Sequence, residues 1–104
     1  MTGLAVALRL PIIPPEIQTF ADEKGVSRYL AAVIDLARQA FPASPLELSL
    51  GRDVEDETHQ YIAIDVEVGG KETEELLTGQ RAWSAGISRV CPSRYAVYFV
   101  LGWR

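Results

Sequence analysis

At 104 residues the chain is long enough for one domain with its own hydrophobic core, needing neither disulfides nor a structural metal. Hydrophobic residues make up 48% and charged residues 23%, ordinary globular values that argue against wholesale disorder. A net charge of −4, from 14 acidic against 10 basic residues, sets nucleic acid aside as a partner, because little basic charge is on hand to displace the counterions condensed on phosphates.

A single cysteine, Cys91, excludes an internal disulfide and a multi-cysteine zinc site. The apolar N-terminal run does not read as a signal peptide. It lacks a basic leading region, carries Arg9 inside it, and meets Pro11, Pro14 and Pro15 soon after. No segment approaches the ~20 apolar residues that cross a bilayer. The expectation is a soluble cytoplasmic protein of one domain, residues 1–104, that touches no membrane.

Leu4, Val6, Leu8 and Leu10 alternate with Ala5, Ala7 and Arg9, a period of two that predicts a first strand. Pro14 and Pro15 end it, and Pro15 suits the first position of a helix. That helix carries Ile17, Phe20 and Ala21 and stops near Gly25, a candidate left-handed cap. Ser27 is then placed as the N-cap of a second helix with Leu30, Val33, Ile34, Ala37 and Phe41 on one stripe. Alternatively the two are one long helix bent at Gly25. Pro42 and Pro45 stop the run.

Leu46, Leu48 and Leu50 alternate with Glu47 and Ser49, a half-buried strand. The polar residues 51–58 connect it to Ile62, Ile64, Val66 and Val68, the plainest strand of the chain, so the two are expected to form an antiparallel hairpin. Gly69 and Gly70 precede a helix over residues 71–90, with Leu76, Gln80, Trp83, Ile87 and Val90 as its stripe. Gly79 and Gly86 weaken that helix but share one side of it, which permits close backbone approach. Residues 95–103 are apolar on both parities and are read as a last strand without a wet face.

The expected fold is therefore α+β. It is a two-layer sandwich with an antiparallel sheet and helices on one face, in the ferredoxin-like order βαββαβ. Without a strand at residues 4–10 the order becomes αββαβ. A two-layer fold leaves the second sheet face open. That face would hold Tyr61, Asp65 and Glu67 together with one parity of the last strand, either Ala96, Tyr98 and Val100 or Tyr95, Val97, Phe99, Leu101 and Trp103. Contiguous exposed apolar groups of this kind mark a contact surface.

Candidate chemistry is sparse. The acidic run Asp53, Glu55, Asp56 and Glu57 ahead of His59 has oxygen and imidazole donors, but its spacing matches no calcium loop, and a solvated hairpin tip is the expected role. His59, the sole histidine, would carry any acid–base step near neutral pH. Cys91 sits at a helix end, where the dipole disfavours a thiolate. Ser84 and Ser88 lack a nucleophile elbow, and Gly69, Gly70 and Lys71 lack the rest of a phosphate loop. Neither a metal nor a cofactor is expected, and an enzyme is disfavoured.

The chain resembles a family of small uncharacterised bacterial proteins of about this length. The resemblance rests on residues 36–42 at the end of the second helix and on the Leu46, Leu48, Leu50 strand. It extends through the acidic turn 53–57, the strand from Ile62 to Val68, and the acidic helix start at Glu72, Glu74 and Glu75. A tryptophan–proline pair typical of those relatives is replaced here by Cys91-Pro92, and the apolar last strand also differs. The resemblance implies a fold and non-enzymatic behaviour, and it assigns no site.

The leading functional expectation is a small interaction module. It self-associates or binds a partner protein through the open sheet face and the last strand, with Tyr98, Phe99, Trp103 and Tyr61 as interface residues. The alternative is a ferredoxin-like dimer that binds or converts a small molecule, using His59, Tyr61, Asp65 and Glu67 as polar groups.

Overall fold

The structure, a computed structural model, describes residues 13–104. Its elements are α1 (Pro15–Lys24), α2 (Ser27–Ala40), β1 (Leu46–Arg52), β2 (Gln60–Val66), α3 (Thr73–Val90), the single turn α4 (Ser93–Ala96) and β3 (Phe99–Trp103). The strand expected at residues 4–10 lies outside the described residues.

Pro15 opens α1 where a missing N–H costs nothing, and Gly25 closes it at φ 72° in the left-handed region. The Val26 N–H then reaches back to the Ala21 carbonyl at 2.9 Å, and the Val26 side chain is fully buried. This closure turns the chain directly into α2, so α1 and α2 are two helices rather than one. It also displaces the expected cap: Val26 is the cap residue, Ser27 is already helical, and no side chain caps the start.

The α2 stripe of Leu30, Val33, Ile34 and Ala37 is buried as its spacing predicts. It meets Leu48, Ile62, Ile64 and Phe99 from the sheet in one core that also takes Ile17 and Phe20 of α1 and Trp83 of α3. Ile62, Ile64 and Val66 are wholly inaccessible, each contributing about 1.5–3 kcal/mol of transfer free energy. The helices thus lie on one face of the sheet.

Among the described residues the sheet has three strands, in the order β1-β2-β3. β1 and β2 form the expected antiparallel hairpin, with Leu46 opposite Val66 and Arg52 opposite Gln60. β2 and β3 pair directly and in parallel, Ile62 opposite Phe99 and Val66 opposite Trp103. The sheet is therefore mixed, not antiparallel. In the ferredoxin-like order the first strand separates these two; here they bond to each other, and the described elements follow the shorter order with its first helix in two pieces.

α3 departs from its expected stripe in one respect. Gly79, Trp83 and Gly86 are the buried positions, while Gln80 is exposed. A Cβ on Gly79 would fall 2.5 Å from Cζ and 2.8 Å from Cδ1 of the Phe41 ring, and one on Gly86 would meet Leu36. The two glycines are the contact by which α3 seats on α2, as their shared side suggested.

Candidate functional site

Residues 95–103 carry apolar groups on both parities for a reason other than two buried strand faces. Tyr95 and Ala96 belong to α4, where Tyr95 stacks on Tyr29 of α2 at 5.5 Å and Arg94 lies over its ring at 4.9 Å. Only the last part of the run is strand.

Register then decides which residues face the open side. Phe99, Leu101 and Trp103 stand opposite Ile62, Ile64 and Val66 and share their helix-covered face. Phe99 is 6% exposed and belongs to the core, so it is not a surface group in this fold. Trp103 keeps 44% of its surface exposed while its ring packs edge-on against Phe41 at 5.5 Å. Tyr98 is half-buried between Phe20, at 6.1 Å, and His59, stacked at 5.9 Å.

The open face is correspondingly less apolar than expected. Tyr61 stands opposite Gly51 and its ring occupies the space a Cβ there would need, an aromatic cover for a strand glycine. Asp65 stands opposite Gly102 and overlies it in the same way. Val100 remains the one large apolar strand residue on this face among the described residues, 39% exposed. At one end, Arg104 forms an ion pair with Glu47 beside Asp65 and Glu67, around a cleft of about 110 Å³. His59 lies at the opposite end of β2, next to the hairpin tip. The four polar groups of the small-molecule reading are therefore not gathered in one pocket.

The hairpin tip uses its carboxylates on its own backbone. Asp53 accepts the Glu55 N–H at 2.8 Å, and Asp56 accepts both the N–H and the hydroxyl of Thr58. These bonds from Thr58, the hydroxyl first, hold the Asp56 carboxyl below its ordinary value. Among the described residues no group of three or more His, Cys, Asp or Glu side chains is placed to hold a metal ion. Cys91 is buried, its thiol donating to the Pro92 carbonyl at 3.5 Å, and burial pushes its pKa up.

The feature that sequence reading passed over is an edge. β3 bonds to β2 through its even-numbered residues: Tyr98 accepts from Ile62, and Arg104 both donates to Val66 and accepts from Val68. In a parallel ladder the N–H and C=O groups of Phe99, Leu101 and Trp103 then point outward, and among the described residues no strand pairs with them. Val97, Val100 and Trp103, all partly exposed, flank this edge, and no charged side chain lies within β3. The residue run signalled an apolar strand, but only the register shows which backbone groups are left over.

The arrangement defines a small α+β domain with a mixed three-stranded sheet. No protein-family model, curated protein or solved structure matches the chain. The resemblance to the small bacterial proteins stands on its residue patterns alone. Among the described residues no helix is long and apolar enough to cross a membrane.

Proposed function

We propose that the protein is a small interaction module that self-associates through the β3 edge. The observation that supports this reading is the outward-turned backbone of Phe99, Leu101 and Trp103 on an uncharged strand that is the sheet's edge among the described residues, flanked by Val97, Val100 and Trp103. Edges are ordinarily blunted by charge, proline or a bulge, and β3 has none of these. A second copy satisfies the same groups by antiparallel pairing about a two-fold axis through Leu101. Phe99 of each chain then faces Trp103 of the other, and the two sheets join into one of six strands.

The test is sedimentation equilibrium on the wild type and on Val97→Lys/Val100→Lys across a dilution series. Both substitutions are at partly exposed positions, so the monomer fold should survive. The reading expects a dimer that dissociates on dilution and a monomeric variant with unchanged circular dichroism. A wild type that is monomeric throughout overturns it, as does a dimer indifferent to both lysines.

A further inference from the structure

A second surface is independent of the β3 edge. The C-terminal end of α2 with its following turn, Ala40 to Ser44, and the start of α3, Lys71 to Gly79, enclose a solvent-open groove of about 420 Å³. That volume lies within the range of sites that hold small ligands or single anchoring side chains. Its floor is apolar, from Ala40, Phe41, Pro42 and Gly79, and its rim carries Glu72, Glu74 and Glu75 against one cation among the described residues, Lys71. The Ser44 hydroxyl oxygen is buried there without a hydrogen-bond partner among the described residues.

Each feature has a local use, but they do not account for one another. Carboxylates in the first turn of α3 complement its dipole, which explains Glu74 and Glu75 without a ligand. The dipole does not explain an apolar floor left open beside them. A groove with an apolar floor and a net negative rim is complementary to a chain segment of opposite charge with an apolar side chain.

We propose that this groove docks a basic peptide segment of a partner protein. One aliphatic side chain lies over Phe41 and Gly79, and flanking Lys or Arg residues face Glu72, Glu74 and Glu75. The acidic balance of the whole chain, −4, steers such a segment toward it. Lys71 at the rim limits the attraction, so binding falls with added salt without vanishing.

The experiment is fluorescence anisotropy with a labelled peptide of sequence Lys-Arg-Leu-Lys-Arg. Controls are the same peptide with glycine for leucine, one with glutamate for every basic residue, and spermine as competitor. The variants are Glu74→Lys/Glu75→Lys, which reverses the rim, and Thr78→Phe, an exposed lining position whose new ring fills the groove. The proposal expects saturable binding of the first peptide, weakened about tenfold by the rim reversal and by Thr78→Phe, and weakened likewise when leucine is removed. Absence of binding, equal binding of the glycine peptide, or complete displacement by spermine at matched charge each overturns it. So does binding unmoved by Thr78→Phe.

Discussion

Gly79→Ala is expected to destabilise the protein although it improves the helix. In an exposed helix interior the change would gain about 1 kcal/mol from propensity alone. At Gly79 the new methyl would stand 2.5–2.8 Å from two atoms of the Phe41 ring and closer still to a third, where carbon atoms need about 3.5–4.0 Å. Trp103 packs against the Phe41 ring at 5.5 Å and blocks it on that side, so the ring can yield only toward the groove it lines, giving up part of that packing. Overpacking of this kind costs about 1–3 kcal/mol, so the net effect runs from near zero to a loss of about 2 kcal/mol. Gly86 on the same helix provides the internal control. Its methyl would meet chiefly the tip of Leu36, a half-buried side chain free to turn outward, so Gly86→Ala is expected to be neutral or to gain up to about 1 kcal/mol. Urea denaturation followed by the combined fluorescence of Trp83 and Trp103 reads both variants on one scale. If Gly79→Ala proves more stable than the wild type, the seating of α3 on Phe41 is wrong.

Ile64→Ala, at a wholly inaccessible position of the central strand, should cost about 2–5 kcal/mol, and a loss under 1 kcal/mol in the same urea assay would contradict the core described here. Glu47→Gln removes an ion pair whose partners are both about half exposed, so thermal melts should shift by less than the equivalent of about 1 kcal/mol. The depressed folded-state pKa of Asp56 means its bonds to Thr58 stabilise the hairpin tip fully above 3.8 and are lost as pH falls through the lowered value. An NMR titration should accordingly place the Asp56 carboxyl below 3.8 and show the Thr58 amide following it; a midpoint at or above 3.8 would remove the argument. Cys91, buried with a raised pKa, should react with a thiol reagent only on unfolding, and prompt labelling of the native protein would count against its placement.

The strands and helices were legible where one face of an element is wet. The alternation at Ile62, Ile64 and Val66 and the stripe from Leu30 to Ala37 each reported a buried face, and the hairpin between β1 and β2 followed from a short polar connection. What sequence could not convey was pairing between distant strands. Nothing local distinguishes a β3 bonded directly to β2 from one separated from it by another strand, yet that choice makes the sheet mixed and sends Phe99 into the core. Residues 95–103 misled for a related reason: Tyr95 is apolar to pack on Tyr29 from a helical turn, and periodicity cannot separate that demand from a two-sided strand. The covering of Gly51 by Tyr61 and the open backbone of Phe99, Leu101 and Trp103 are likewise consequences of register.

The self-association reading is tested most directly by charge exchange at Val100. In the two-fold pairing centred on Leu101, Val100 of one chain and Val100 of the other are diagonal neighbours, within reach of long side chains. Val100→Lys and Val100→Glu should therefore each sediment as a monomer, and an equimolar mixture should recover the dimer mass, with recovery weakened by salt. A mixture that stays monomeric while the wild type is dimeric would place the contact elsewhere on the molecule, and two single variants that both remain dimeric would contradict the edge pairing outright.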